Sequence, residues 1–111
     1  MKLKIGVRLW RIDSKIHVAM GVALAIFRHH APMKTCVVTS LNDGTHDPKS
    51  KHYAGEAVDL RTRDLTVEEG DAILADLRIV LEEEGLEILD ERQDKSHFHI
   101  QLKQGSVEYV L

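Results

Sequence analysis

Two histidines separated by a single phenylalanine, His97 and His99, begin the run HFHIQL near the end of the sequence. Successive side chains of a β-strand point to opposite faces, so both imidazoles would share one face while Phe98 and Ile100 occupy the other. The alternation predicts a strand with one apolar face and one face that carries two imidazoles. The apolar face suits a sheet packed against helices.

An earlier segment, residues 50–59 with the sequence SKHYAGEAVD, places His52 seven residues before Asp59. Its first half has the composition of a turn and its second half that of a strand. Gly55 lies between the two and permits backbone conformations that are closed to other residues. The segment can therefore fold back so that His52 and Asp59 converge.

The strand predicted from Ala57 to Arg61 carries Asp59 within an apolar run. A carboxylate in such a run is costly to bury unless it is paired or binds a cation. A salt bridge with Arg61 or Arg63 is one solution. A metal ion is the other.

The three side chains of His52, Asp59 and His99 together supply the donors of a catalytic zinc site. Zinc accepts histidine and carboxylate ligands in tetrahedral geometry, and a catalytic site leaves the fourth position to water. A lone histidine or aspartate is common in any chain, so the hypothesis depends on the combination.

The length of 111 residues, with 43% hydrophobic and 30% charged residues, predicts a single domain over residues 1–111. A net charge of −3 from well-mixed acidic and basic residues disfavours nucleic acid and anionic lipid as partners. The single cysteine, Cys36, excludes an internal disulfide and is expected to be buried as a small hydrophobic residue.

The most apolar segment, from Val18 to Phe27, is too short to span a bilayer. It also lacks a convincing signal-peptide cleavage site. We therefore expect no membrane insertion, and synthesis in the cytoplasm without an export signal.

Helical and extended patterns alternate along the chain and predict an α+β fold, a small antiparallel sheet with two main helices packed against it. The helices are predicted from a cap at Asp13 or Ser14 to about Arg28, and from a capping box at Thr66 and Glu69 to Gly85. The extended segments are residues 2–10, as a half-buried strand or arm, 33–40, 57–61, 87–90 and 96–102, with a polar hairpin at 91–95.

The motif Ser-x-His-x-x-Gly-x-Ala-x-Asp is matched in full by Ser50, His52, Gly55, Ala57 and Asp59, and a His-x-His pair follows. This pattern resembles the zinc peptidases of the D-Ala-D-Ala carboxypeptidase type, whose fold is shared with hedgehog signalling domains and with peptidoglycan amidases and endopeptidases. The resemblance covers roughly residues 35–102. Short members are frequent among phage and prophage cell-wall enzymes.

The resemblance implies that His52, Asp59 and His99 hold zinc and that His97 assists catalysis by stabilising the oxyanion. It also implies an acidic general base shortly before the last ligand. Asp94, three residues before His97, is our first choice for that base, although glutamate is typical there.

Glu91 is the alternative base if the hairpin is longer. The implied reaction is hydrolysis of peptides that contain D-amino acids in the bacterial cell wall, by a metal-activated water.

Ser50 and His46 are candidate substrate contacts, and an exposed loop histidine is an equal interpretation of His46. The arginine that commonly binds substrate in the family has no clear counterpart in residues 41–49. A zinc-binding module without peptidase activity, as in hedgehog domains, is the competing interpretation.

Overall fold

A computed structural model describes residues 1–5, 12–41 and 56–103 of the chain. These residues form an α+β fold in which two main helices pack against a five-stranded sheet. The strands are Lys2–Leu3 (β1), Val37–Ser40 (β2), Ala57–Arg61 (β3), Leu86–Glu91 (β4) and His97–Leu102 (β5). The helices are Ser14–His30 (α1), Val67–Leu81 (α2) and the single turn Arg92–Lys95 (α3).

Helix α1 begins where the sequence predicts. Asp13 is the N-cap, and its Oδ1 accepts a hydrogen bond of 2.8 Å from the backbone N–H of Lys15. The helix continues to His30, two residues beyond the predicted end, and stops before Pro32. There the His30 ring lies 2.5 Å from the Asp76 carboxylate and ties the end of α1 to α2.

Helix α2 begins with the predicted capping box. The Thr66 hydroxyl accepts from the Glu69 N–H at 3.1 Å, and the Glu69 carboxylate accepts from the Thr66 N–H at 2.9 Å. Lys34 donates to the same carboxylate at 2.6 Å, and this hydrogen bond is the main reason that the pKa of Glu69 lies below its usual value. After a 3₁₀ turn, Gly85 has a φ of 83° and turns the chain into β4.

The strands are arranged in the order β1-β2-β3-β5-β4. The pairs β2–β3, β3–β5 and β5–β4 are antiparallel, but β1 is parallel to β2. The prediction of an antiparallel sheet is therefore wrong at this edge, and the sheet is mixed. The cause is the long connection through α1, since a helical crossover returns the chain in the same direction.

Strand β1 is also shorter and more exposed than predicted. It lies at the sheet edge, where Leu3 is 37% exposed and Ile5 fully exposed. The prediction of a half-buried strand is wrong for these two residues, because an edge strand is covered by a neighbour on one side only. The remainder of the predicted segment, residues 6–10, lies outside the described residues.

The core lies between the two main helices and one face of the sheet. It includes the sheet residues Val58, Leu60, Phe98 and Ile100, and the helix residues Ile16, Ala23, Phe27, Ile73 and Leu77. Cys36 is 2% exposed, as expected, and burial raises the pKa of its thiol to about 11. Among the described helices, none combines the length and apolar character needed to cross a membrane.

Candidate metal centre

Strands β3, β5 and β4 bring four polar side chains to the sheet face opposite the helices. Asp59 of β3 is the register partner of His99 in β5. His97, two residues earlier on β5, is the partner of Glu91 at the end of β4. Since residues two apart on a strand share a face, the antiparallel register alone places these four side chains together.

The four side chains contact one another directly. Nδ1 of His99 lies 2.7 Å from Oδ1 of Asp59, and Nε2 of His97 lies 2.7 Å from Oε1 of Glu91. Nε2 of His97 is also 3.6 Å from Oδ2 of Asp59. The Asp59 side chain is only 9% exposed and the Glu91 side chain 28%, so the cluster is sheltered but open on the Glu91 side.

Three of these residues have the spacing of metal ligands. One donor atom from each of Asp59, Glu91 and His99 lies within 4.8 Å of the other two. Ligands at the 2.0–2.1 Å bond lengths of tetrahedral zinc are about 3.4 Å apart. Small side-chain adjustments would bring the present donors to that distance. One imidazole and two carboxylates are ligands that zinc accepts.

A hydrogen-bonded chain fixes the orientation of the His99 ring. Nε2 of His99 lies 2.8 Å from Oε1 of Gln101, and Nε2 of Gln101 donates to the Glu87 carboxylate at 2.5 Å. A carboxylate only accepts hydrogen bonds, so the NH₂ group of Gln101 must face Glu87 and its amide oxygen must face His99. Nε2 of His99 therefore carries a proton, and Nδ1 faces Asp59.

Opposing effects act on the pKa of His99. Burial of the ring lowers it, but hydrogen bonds to Asp59 and Gln101 and the charges of Asp59 and Glu91 raise it by more, so the pKa is above its usual value. Both ring nitrogens face acceptors, which is the arrangement of an imidazolium ion.

If His99 holds zinc, as the motif implies, replacing Gln101 with alanine is expected to weaken zinc binding by about 10- to 100-fold, which is the usual cost of removing a group that orients a metal-binding histidine. The His99 ring would lose the acceptor that holds its Nε2 proton. Competition with a chromophoric chelator measures the affinity. Gln93→Ala is the matched control, because Gln93 is exposed on α3. An unchanged affinity in Gln101→Ala would show that the chain to Glu87 does not support a metal site.

Some of the predicted site residues lie in the cluster, Asp94 lies outside it, and others lie outside the described residues. Asp59, His97 and His99 lie together, and the Asp59 carboxylate faces the two histidines. In the described part of the chain, neither Arg61 nor Arg63 forms an ion pair with it.

Asp94, our first choice for the general base, is exposed on α3 and lines a cavity of about 500 Å³ that Glu91 also lines. Glu91, the alternative, lies in the cluster. His46, Ser50 and His52 lie outside the described residues.

Sequence reasoning missed Gln101 and Glu87. The signal was present in the strand alternation, because Gln101 follows His99 by two residues and shares its face. Glu87 could be found only with the β4–β5 register, which makes it the partner of Gln101.

Comparisons of the chain with protein-family models, curated proteins and solved structures found no match. We therefore infer a function from the side-chain geometry and from the sequence motif.

Proposed function

We propose that this protein is a zinc-dependent peptidase of the D-Ala-D-Ala carboxypeptidase and hedgehog type that hydrolyses peptidoglycan peptides containing D-amino acids. The observation that carries the proposal is the convergence of Asp59, Glu91 and His99, from three strands, within 4.8 Å. Two of them, Asp59 and His99, are the residues at which the motif implies ligands. The phage or prophage cell-wall context belongs to the same proposal.

In this proposal Asp59 and His99 would hold zinc through Oδ1 and Nδ1, the two atoms that face each other at 2.7 Å. His52 is the third ligand implied by the motif. A bound zinc ion would polarise the scissile carbonyl and lower the pKa of water towards neutrality. Gln101 would keep the His99 ring in the tautomer that leaves Nδ1 for the metal.

Glu91 is the residue that we propose as general base, in place of Asp94. Its carboxylate lies beside Asp59 and His99, whereas Asp94 is exposed on α3. The Glu91 carboxylate would accept a proton from the attacking water and pass it to the leaving amine. Since Nε2 of His97 lies 2.7 Å from Glu91, His97 would hold that carboxylate in position, besides the predicted role at the oxyanion.

Two measurements on the purified protein test the proposal. Elemental analysis should find zinc equimolar with the chain, and mass spectrometry of digested muropeptides should find shortened stem peptides or opened cross-links. Absence of bound zinc after zinc loading would refute the proposal. Equimolar zinc without cleavage of any muropeptide would favour a zinc-binding module of the hedgehog kind.

A further inference from the structure

The turn that joins β4 to β5 is fastened to helix α2 immediately next to Glu91. Arg92, the first residue of α3, has a side chain that is 25% exposed and contacts three partners. Its Nε and Nη2 donate to the two carboxylate oxygens of Asp90, each at 2.8 Å, and Nη2 also donates to Asp71 of α2 at 2.9 Å. The guanidinium carbon lies 5.4 Å from the centre of the Phe98 ring. We call Asp71, Asp90 and Arg92 the Arg92 clamp.

The clamp has features that distinguish a strong ion pair from an ordinary surface pair. Two parallel hydrogen bonds from one guanidinium to one carboxylate fix the orientation as well as the distance, and a cation above an aromatic ring adds to them. The hydrogen bond from Arg92 is also the main reason that the pKa of Asp90 lies below its usual value. Phe98 is fully buried, so the guanidinium rests against the core.

Gly70 of α2 leaves room for the Arg92 side chain. A Cβ atom at position 70 would lie 2.5 Å from Nη1 of Arg92, which is closer than non-bonded atoms approach, so alanine there would displace the guanidinium. Gly70 is buried within the helix, where glycine is less favourable than alanine. The space that Gly70 provides is therefore part of what seats the clamp.

The clamp fixes the residues on both sides of Glu91. Successive residues of a strand point to opposite faces, so Asp90 lies on the helix side of β4 while Glu91 faces the candidate metal centre. Glu91 is the last residue of β4 and the register partner of His97, which follows α3 by two residues. The contact of 2.7 Å between Glu91 and His97 therefore depends on the connection that begins at Arg92.

We propose that Arg92 is a positioning residue, which fixes the backbone around Glu91 against α2 and so holds the Glu91 carboxylate at His97. The inference rests on the proposed role of Glu91 as general base. The clamp lies on the helix side of the sheet, so its effect on the reaction acts through the position of Glu91. A general base must stay within hydrogen-bond reach of the proton that it takes, and a misplacement of about 1 Å can cost about 100-fold in rate.

Arg92→Gln tests the proposal, because it removes the guanidinium and keeps a polar side chain. We expect kcat for muropeptide cleavage to fall by about 10- to 100-fold with KM nearly unchanged, since the loss affects the reacting base and not the binding of substrate. Zinc content should stay equimolar. Arg78→Gln is the matched control, because Arg78 also ties α2 to β4, through a hydrogen bond of 3.2 Å to the carbonyl of Ile88. Its kcat should match that of the wild type.

A double variant separates an effect through Glu91 from a general loss of structure. In protein that already carries Glu91→Gln, Arg92→Gln should cause no further loss of kcat, because the group that it positions can no longer act as a base. An equal additional loss in that background would overturn the proposal. Undiminished kcat in Arg92→Gln alone would do the same.

A spectroscopic measurement decides the proposal even if the protein cuts no peptide. A carboxylate only accepts hydrogen bonds, so Nε2 of His97 donates to Glu91, and the ¹⁵N chemical shift of this nitrogen reports the bond. We expect Arg92→Gln to move the shift towards its value in Glu91→Ala, where the acceptor is absent, and Arg78→Gln to leave it in place. An unchanged shift in Arg92→Gln would refute the positioning role. A moved shift in a protein without peptidase activity would support that role and refute only the peptidase.

If Arg92→Gln does not fold, Gly70→Ala replaces it. Alanine favours a helix more than glycine does, so α2 should form, while the added Cβ displaces the guanidinium. We expect a lower kcat and a moved His97 signal. Gly21→Ala in α1 is the control, because a Cβ there meets no atom within 4 Å. Unchanged kcat together with an unchanged His97 signal in Gly70→Ala would overturn the proposal.

Discussion

Replacing Glu91 with glutamine is expected to lower kcat for peptide hydrolysis by about 10²- to 10⁴-fold, the usual contribution of a general base. Glutamine has the shape of glutamate but no carboxylate that can take a proton. Its amide oxygen can still accept from His97, whose Nε2 lies 2.7 Å from the Glu91 carboxylate, so the local structure should survive. Zinc content, measured on the same sample, should remain equimolar.

Asp94→Asn is the matched comparison, because the sequence alone favours Asp94 for the same role. We expect its activity to stay close to that of the wild type, since Asp94 is exposed on α3. Loss of activity in Asp94→Asn with full activity in Glu91→Gln would reverse the assignment. Loss of zinc from Glu91→Gln would instead make Glu91 a ligand together with Asp59 and His99.

Local signals in the sequence predicted most of the elements. Helices α1 and α2 begin at side chains that satisfy backbone N–H groups, Asp13 and the pair Thr66 and Glu69, and such caps are visible in sequence. Strands β4 and β5 were predicted within one residue of their ends. The parallel pairing of β1 was not predicted, because periodicity identifies a strand but carries no information about its neighbour or direction.

The choice between Asp94 and Glu91 as general base shows the same limit, because the sequence alone does not reveal which residues become neighbours across the strands. Counting along the chain placed Asp94 three residues before His97, but the chain there forms the one-turn helix α3 and leaves it at Ser96 with a φ of 58°. Strand β4 extends to Glu91, which becomes the cross-strand partner of His97. Distance in the folded chain is set by this register, and register depends on the hairpin geometry between the strands.

The proposed zinc site predicts that zinc stabilises the wild-type protein against thermal unfolding and that replacing Asp59 with asparagine abolishes this stabilisation. A ligand at about 1,000 times its Kd stabilises a protein by about 4 kcal/mol, which for a domain of this size is a rise in Tm of at least about 15 °C. The Asp59 side chain is 9% exposed and faces His99 at 2.7 Å, so it is sheltered and aimed at the second proposed ligand. Thermal unfolding with and without added zinc measures the effect.

Asparagine is the appropriate substitution because it separates metal binding from folding. Its side-chain oxygen can still accept from the His99 ring, so the metal-free variant should unfold close to the temperature of the metal-free wild type. Asp64→Asn, at an exposed carboxylate on the loop after β3, is the control and should keep the full response to zinc. A full zinc response in Asp59→Asn would place the metal elsewhere. That result would also mean that the burial of this carboxylate beside His97 and His99 serves these side-chain contacts and not the binding of a cation.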